Sequence, residues 1–572
     1  MIERSMFAAL SASLLASSAM AQAPARAEAY DLLIDNGTIY DGLGGAPFTG
    51  DVAIRGDRIA FVGPRAPGTA KNTVDATGMA VSPGFINMLS WAVESLIADG
   101  RGLSDTVQGV TLEVFGEGNS MGPLTPEMKK LAVKRQDDIK YPIRWTTLGD
   151  YLTYITRKGI TPNVASFVGA TTVRVHELGE KDVDPTPEQL DRMRALVRSA
   201  MKEGALGVGS SMIYAPASYA ETPELIAITS EAGKCGGMYI SHMRSEGDRL
   251  VEAVDELITI SKESGAPAEI YHLKQAGKEN WGKLDEVIKH VEAAQANGQR
   301  ITADMYTYTA GATGLDASMP TWVQSGGLEA WIERLKDPAT RAKLVTEMRT
   351  PSKDWENLLL GTGSPDKVLL IAFKNPKLKP LTGKTLGEVA RMRGKNPEET
   401  AMDLVIEDGS RVGTVYFLMN EDNVRRQVGL PWVGFGSDAD SQAPEGVFLK
   451  SSNHPRAYGN FARALGTYSR DQKAAPLADV IRRLTSFPAT NLGIKGRGVL
   501  RDGYYADVVV FDPAKIQDHA TFEKPQQLST GVRDVFVNGT QVLKDGRHTG
   551  AKPGRFVRGP GWTGWPGGGA CK

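Results

Sequence analysis

Hydrophobic and polar positions alternate along residues 30–81, and turn signals divide the alternation into short runs. Asn36 and Gly37 lie between two such runs, where a hairpin of an antiparallel sheet would turn. The segments 498–513 and 532–546, near the other end of the chain, repeat the pattern. Two β-rich ends need partners, so we expect them to pair with each other in one small β-sandwich domain.

Between these ends the pattern changes to strands that alternate with amphipathic helices. In the run "DRLVEAVDELITISKESG", Leu250, Val254 and Leu257 fall on one helical face, and the strand-like run "APAEIYH" follows at once. Units of about 30 residues repeat in this way along the middle of the chain. The pattern predicts the α/β class: a (β/α)8 TIM-like barrel over 83–490, with the sandwich built from 29–82 and 491–555.

The segment from about 328 to 415 interrupts the barrel pattern. It is charged and rich in proline and lysine, as in "FKNPKLKPLTGKTLGEVARMRGKNPEET". We therefore expect an insertion in the barrel. Two interpretations stay open, namely a lid over the barrel mouth and a peripheral excursion without a catalytic role.

The N-terminus has the layout of a cleavable signal peptide. A short charged start precedes an apolar run of small residues, and the tripeptide "AMA" ends at Ala21, before a polar stretch. We expect residues 1–21 to be removed and the protein to be periplasmic or secreted. No later run approaches about 18 uninterrupted apolar residues, so no membrane span is expected. A glycine-rich tail, 556–572, ends the chain.

Composition narrows the range of partners. The 572 residues are 41% hydrophobic and 23% charged, with a formal net charge of -1, so nothing favours nucleic acid or an anionic membrane. A small-molecule substrate fits better, and a homo-oligomer stays open. Cys235 and Cys571 are the two cysteines, so a disulfide framework is not expected. With seven histidines in the chain, any metal site must gather scattered ligands by folding.

Polar residues that directly follow an apolar strand of such a barrel lie at its catalytic face. Glu117 follows "VTLEVFG", His242 follows "GGMYIS", His272 follows "AEIY" and Asp438 follows "WVGFGS". Two imidazoles and a carboxylate suit a catalytic zinc that keeps one position open. Asp438 is the candidate general base, because a carboxylate close to the metal can accept a proton from the attacking water. Its alternative role is a helix N-cap.

Several short motifs, taken together, identify a family. They occur in order along most of the chain: "VSPGFIN", "QGVTLEVFGEG", "SHMRSEGDRL", "YHLKQAGKENWGK", "ADMYTYTAG", "VGFGSDAD", "NHPRAYGNFARALG" and "LTSFPATNLGIKGRGVLRDGYYADVVVFD". With these motifs the chain resembles the amidohydrolase superfamily and, within it, the N-acyl-D-amino-acid deacylase (D-aminoacylase) family.

The resemblance implies a zinc-dependent hydrolase with a barrel and a β-sandwich made from both chain ends. His242 and His272 match the histidine ligands of the family, and Asp438 matches its catalytic aspartate. Other positions match family residues that lie near the substrate, namely Lys274, Tyr306, Tyr308 and Arg456. The planar guanidinium of Arg456 suits a substrate carboxylate.

Two departures from the family pattern affect the metal site. Asn87, Leu89 and Trp91 stand where the family reads Asp-x-His-x-His, so a pair of histidine ligands is missing. The strand that normally supplies a cysteine thiolate carries Glu117 instead. We expect one zinc ion per chain, with Glu117 as its anionic ligand and Glu113 as the rival. Leu89 and Trp91 are expected to fill the vacated space with apolar groups.

The leading hypothesis is a zinc-dependent amidohydrolase that cleaves the amide bond of N-acyl amino acids or related small amides. A second hypothesis is hydrolysis of another bond, in a dipeptide, lactone or carbamate, since the same activated water would serve. A third is a barrel that binds a small molecule without catalysis. The joint presence of His242, His272, Lys274 and Asp438 argues against this third hypothesis.

Overall fold

The computed structural model describes residues 29–571, so the predicted signal peptide lies outside the described residues. Its strands follow in chain order: β1 (Ala29–Ile39), β2 (Phe48–Arg55), β3 (Arg58–Gly63), β4 (Thr69–Asp75), β5 (Ala80–Pro83), β6 (Phe85–Asn87), β7 (Val110–Phe115), β8 (Asn163–Ser166), β9 (Val168–Gly169), β10 (Gly207–Ser211), β11 (Met238–His242), β12 (Ala268–Ile270), β13 (Ile301–Met305), β14 (Gly311–Gly314), β15 (Val368–Ala372), β16 (Gly413–Tyr416), β17 (Val433–Phe435), β18 (Val508–Phe511), β19 (Val532–Val537), β20 (Thr540–Lys544) and β21 (Arg547–His548).

The α-helices alternate with many of these strands. They are α1 (Ser95–Ala98), α2 (Leu103–Thr106), α3 (Pro126–Arg135), α4 (Leu148–Lys158), α5 (Ala170–Leu178), α6 (Pro187–Glu203), α7 (Thr222–Lys234), α8 (Leu250–Ser264), α9 (Leu284–Ala296), α10 (Leu328–Lys336), α11 (Pro338–Met348), α12 (Leu358–Thr362), α13 (Leu386–Arg393), α14 (Pro397–Asp408), α15 (Glu421–Val428), α16 (Arg456–Arg463), α17 (Leu477–Leu484) and α18 (Ser486–Asn491).

Helix α6 illustrates how the local sequence sets an element. The side chain of Thr186 accepts a hydrogen bond from the backbone N–H of Gln189, and the Gln189 side chain bonds back to the cap, so the two form a capping box. Gly204 ends the helix with a φ of 114°, which a residue with a side chain rarely adopts. Met193 and Val197 are buried on the face that packs on the barrel.

The parallel strands form a barrel. One parallel sheet has the order β6-β7-β8, and the other has the order β17-β13-β12-β11-β10-β9. Strands β8 and β9 follow each other with only Phe167 between them, which joins the two sheets on one side. On the other side, the N–H of Met88 bonds to the carbonyl of Phe435 at 3.3 Å, next to the ends of β6 and β17. The predicted (β/α)8 barrel is confirmed.

The two chain ends form the second sheet system, as predicted. Its strand order is β21-β20-β19-β18-β5-β1-β2-β3, and β4 pairs with β1. The antiparallel pair of β5 and β18 joins the N-terminal to the C-terminal part, with Val508 opposite Pro83. Ile34, Val52 and Phe536 are buried in the core beneath this sheet. One β domain thus holds the barrel at both of its chain ends.

The insertion between β13 and β17 has its own sheet and core. Strands β14, β16 and β15 pair antiparallel, and helices α10 to α14 surround a core that includes Trp331, Leu370 and Val405. The inserted unit begins at β14, earlier in the chain than the predicted start near 328. The run "GATG" of β14 lacks the alternation that signals a strand, and pairing with β16 stabilises it.

The C-terminal tail packs along the barrel. Backbone N–H groups of Val557 and Gly559 bond to carbonyls of Val164 and Gly204, near the N-terminal ends of β8 and β10. A disulfide then joins Cys571 to Cys235, at the end of α7. The sequence did not predict this pairing, because residues 336 positions apart give no spacing signal. Among the helices of residues 29–571, none combines the length and apolarity needed to cross a membrane.

Candidate active site

Three predicted metal ligands meet at the mouth of the barrel. Glu117 follows β7, His242 ends β11 and His272 follows β12. Glu117 Oε1 lies 3.2 Å from His242 Nδ1 and 3.0 Å from His272 Nε2. The two histidine nitrogens are 2.9 Å apart, and all three side chains are buried. Three lone-pair donors therefore point at one position.

This donor set fits a zinc ion. Ligand atoms about 2.0–2.1 Å from a tetrahedral zinc lie about 3.3 Å from one another, close to the separations found. Burial favours the protonated form of the Glu117 carboxyl, but the imidazoles of His272 and His242 outweigh that effect and lower its pKa. An anionic carboxylate beside two imidazoles is the chemistry that zinc prefers.

Glu246 and Lys274 lie behind the two histidines. Glu246 Oε1 is 3.0 Å from His272 Nδ1, and Lys274 Nζ donates to the same oxygen at 2.6 Å. Burial alone would raise the pKa of Glu246, but the nearby His242 and Lys274 lower it well below its usual range. A carboxylate in this position orients a ligand imidazole through its second nitrogen. The place of Glu246 four residues after His242 is the one sequence signal that points to it.

Asp438 lies beside the ligand cluster. One of its carboxylate oxygens is 2.8 Å from Nη1 of the buried Arg456. Burial raises the pKa of Asp438, while the charges of Arg456 and His272 oppose the rise. In the described chain the next α-helix begins only at Arg456, so the alternative role of Asp438 as a helix N-cap is not supported.

The backbone at two of these residues is unusual. His272 and Asp438 have φ angles of 34° and 51°, in the left-handed region that residues other than glycine rarely enter. The N–H of His272 donates to Asp304 Oδ1 at 2.8 Å, and the N–H of Asp438 donates to the carbonyl of Leu89 at 2.8 Å. These bonds hold both strand ends in a conformation that turns the side chains into the mouth.

Trp91 connects the candidate metal ligands with the candidate base. Its indole N–H lies 3.1 Å from Glu117 Oε2 and 3.1 Å from Asp438 Oδ1. Leu89 is fully buried, as expected for an apolar filler. The expectation that Trp91 fills space only apolarly was wrong, because an indole keeps a polar N–H that needs an acceptor when buried.

Glu113 does not face the ligand cluster. Its Oε2 accepts a hydrogen bond from Asn87 Nδ2 at 3.0 Å, and the same amide donates to Asp105 Oδ2 at 3.1 Å. Burial raises the pKa of both Asp105 and Glu113. Asn87 thus binds a buried carboxyl pair beneath the mouth, and the geometry favours Glu117 over Glu113 as the ligand.

The ligand cluster opens into a cavity of about 780 Å³. Lys274, Tyr306 and Arg456 line it, and the Arg456 guanidinium lies 4.4 Å from the centre of the Tyr306 ring. Tyr308, also predicted near the substrate, lies outside the lining, and its hydroxyl bonds to Asp518 at 3.2 Å. Strand β13 ends at Met305, so the strand alternation that would place Tyr308 beside Tyr306 no longer holds.

The insertion forms one wall of this cavity. Residues from β14, from α10 and from the turn before β16 line it, including Gly311, Leu328, Trp331 and Arg411. Lys134 and Arg135 of α3 make ion pairs with Glu329 of α10, which tie the insertion to the barrel at the cavity rim. Because the insertion lines the cavity and is ion-paired to α3, its position is not peripheral.

A barrel with a β domain and a buried Glu-His-His cluster at its mouth is the arrangement of a metal-dependent hydrolase. The profile of the Amidohydrolase family matches residues 72–543, and the chain belongs to that family.

Particular relatives lie within the predicted subgroup. D-aminoacylase of Alcaligenes xylosoxydans xylosoxydans is 32% identical over 529 residues, 92% of this chain and 97% of the relative. A solved D-aminoacylase structure, whose study describes a binuclear metal centre with "one-metal activation and second-metal attenuation", has a TM-score of 0.77 at 32% identity. It covers 92% of this chain and 100% of its own.

A further structure shares the fold and holds a metal. It is N-acyl-D-glutamate deacylase from Bordetella bronchiseptica, complexed with zinc and a phosphonate inhibitor that mimics the tetrahedral intermediate. Its TM-score is 0.74 at 27% identity, over 93% of this chain and 100% of its own. The predicted resemblance to N-acyl-D-amino-acid deacylases is confirmed.

Proposed function

We propose that this protein hydrolyses the amide bond of N-acyl-D-amino acids with one zinc ion per chain. One observation carries the proposal: the Glu117-His242-His272 cluster opens into the same cavity as the Arg456 guanidinium. Arg456 is 3% exposed; its Nη1 pairs with Asp438, and its buried Nε has no hydrogen-bond partner among the described residues. A buried cation with an unused donor suits a carboxylate group of the substrate.

Glu117, His242 and His272 would hold the zinc. When bound, zinc would supply Lewis-acid polarisation of the amide carbonyl and would acidify water. The position of Trp91 supports a single ion, since its N–H already lies between the carboxylates of Glu117 and Asp438. A second cation between those carboxylates would have to displace the indole.

Asp438 would move the proton. Its carboxylate accepts a proton from the attacking water and delivers it to the leaving amine, which must leave protonated. Burial raises its pKa, which makes the carboxylate a better proton acceptor. The indole N–H of Trp91 and the guanidinium of Arg456 hold the two carboxylate oxygens from different sides.

The substrate carboxylate would bind on the far side of Asp438. Arg456 offers its unpaired Nε–H there, and Tyr306 packs beneath the guanidinium. Lys274 is a second cation at the same edge, although Glu246 already takes one of its donors. The names of the relatives support the D configuration of the amino acid.

The proposal includes export from the cytoplasm. The layout of residues 1–21 is that of a signal peptide. The disulfide between Cys235 and Cys571 suits an oxidising compartment such as the periplasm.

A substrate panel with parallel metal analysis tests the proposal. The purified protein is offered N-acetyl-D-amino acids, their L enantiomers, dipeptides and lactones, while zinc is quantified by mass spectrometry. We expect hydrolysis of the D series and about one equivalent of zinc. Full activity after chelation and removal of all metal would contradict the zinc mechanism. Selective cleavage of lactones or dipeptides would show that the protein hydrolyses a different bond.

Replacing Trp91 with Phe is expected to lower kcat by about tenfold or more. The variant keeps an aromatic ring but removes the N–H shared by Glu117 and Asp438, and a hydrogen bond to a charged group contributes about 1.5–3 kcal/mol. KM should change little, because the substrate carboxylate binds elsewhere. Steady-state kinetics on the best substrate provide the measurement.

Trp145 supplies the matched control for this substitution. Trp145 is buried whereas Trp91 is half-buried, and the indole N–H of Trp145 is also bonded, but to the carbonyl of Met121 outside the cavity. The Trp145→Phe variant should keep the kcat of the wild type. An equal fall in kcat for both variants would mean that Trp91 acts only through packing.

A further inference from the structure

One wall of the cavity is apolar and lies outside the protein core. Met128, Leu131 and Ala132 of α3 line the cavity, and so do Val175 of α5 and Ile213 after β10. All five are half-buried, and α3 contains no fully buried residue. The apolar side of α3 therefore covers the cavity instead of packing into the core, and its surface remains available to a ligand. We call these five residues the apolar wall.

The apolar wall and the cationic residues come from different arcs of the barrel. The wall follows strands β7, β9 and β10, whereas Lys274, Tyr306 and Arg456 follow β12, β13 and β17. In the ring of strands these arcs lie opposite each other, with the Glu117-His242-His272 cluster facing the space between them. A molecule that reaches from one arc to the other passes the cluster.

The two ends of an N-acyl amino acid would lie against these two arcs, because they extend in opposite directions from the amide bond. The carboxylate and the side chain are attached on the amine side of the scissile bond, and the acyl chain extends from its carbonyl carbon in the other direction. If the carboxylate binds Arg456 and the carbonyl lies at the ligand cluster, the acyl chain must run towards the apolar wall.

We propose that the apolar wall binds an aliphatic acyl chain, so that the substrates are amino acids acylated with medium or long fatty acids. This inference rests on the proposed amide hydrolysis. The cavity volume of about 780 Å³ supports it, since pockets for drug-sized ligands span about 300–1,000 Å³ and an acetyl group would leave the wall uncovered. Arg135 and Glu180 lie beyond the wall at the cavity rim, where polar groups meet water.

A chain-length series tests the inference. N-acetyl-, N-butanoyl-, N-hexanoyl-, N-octanoyl- and N-decanoyl-D-alanine are compared by kcat/KM. We expect kcat/KM to rise by about two- to fourfold for each added methylene that the wall covers. A second series with a fixed acetyl group and D-alanine, D-valine or D-leucine tests whether the wall binds the amino-acid side chain instead. A rise in that series alone would overturn the inference.

Helix α3 offers a matched pair of variants. Leu131→Ser puts a hydroxyl into the apolar wall, and we expect it to lower the ratio of decanoyl to acetyl kcat/KM by about tenfold. Val133→Ser makes the same kind of change on the same helix, but Val133 is 46% exposed and outside the cavity lining, so the ratio should stay as in the wild type.

The possible failures are distinguishable. Cleavage of the acetyl substrate with no gain from a longer chain would overturn the inference and leave the proposed function intact. If the wild-type protein and Leu131→Ser had equal ratios of decanoyl to acetyl kcat/KM, the inference would also be overturned, even if longer chains reacted faster. Hydrolysis of no N-acyl amino acid of any length would overturn the proposed function, and the inference with it.

Discussion

Replacing Asp438 with Asn is expected to lower kcat by a factor of about 10²–10⁴, the usual contribution of a general acid or base. The amide keeps the size of the side chain and can still accept the hydrogen bond from Trp91. It cannot take up a proton from water or return one to the leaving amine. Steady-state kinetics give the loss, and mass spectrometry should find the zinc content of the wild type, because Glu117, His242 and His272 are intact.

The choice of Asn also separates catalysis from local structure. Asn is as good a helix cap as Asp and tolerates a positive φ at least as well, so the backbone at this position should be preserved. Asp440→Asn is the matched control, since Asp440 lines the same cavity and burial raises its pKa to about 7, so its charge is already partly lost at neutral pH. Undiminished turnover by Asp438→Asn would reject the assigned role.

Patterns within single strands predicted much of the barrel and its site. Glu117, His242, His272 and Asp438 each follow an apolar run, and the parallel topology brings such strand ends to one edge. Tyr308, which only the family resemblance placed near the substrate, lies outside the cavity lining, because β13 ends at Met305 and the chain turns away beyond it. The structure brings together the four side chains that stand at or just after a strand end.

Interactions between distant segments could not be predicted in the same way. Trp91 is expected to be an apolar filler because it stands where the family has a histidine, yet its N–H has two acceptors, Glu117 after β7 and Asp438 after β17. The disulfide of Cys571 likewise depends on how the tail packs against α7. The folded barrel determines which acceptor lies beside Trp91 and which thiol lies beside Cys571. No periodicity in a single sequence indicates such contacts.

Replacing Glu117 with Ala is expected to lower the zinc content from about one equivalent to a small fraction of that, and to abolish turnover. Glu117 supplies the one carboxylate among the three clustered ligand atoms. Its loss leaves two imidazoles, and zinc sites in enzymes ordinarily have three protein ligands. Zinc analysis after dialysis against a weak chelator measures the effect, and circular dichroism checks the fold.

Glu113→Gln provides the control, because Glu113 is a buried glutamate within β7, the strand that Glu117 follows. Burial raises the pKa of Glu113, and the oxygen of a glutamine amide can still accept the hydrogen bond from Asn87. We expect full zinc content for this variant. Loss of zinc from Glu113→Gln with retention by Glu117→Ala would assign the metal to the buried carboxyl pair instead. Loss of zinc from both variants would show that the carboxyl pair beneath the mouth supports the strand that carries Glu117. The zinc affinity of Glu117→Gln would then separate direct ligation from this support. That variant keeps the shape of the Glu117 side chain and removes only its charge.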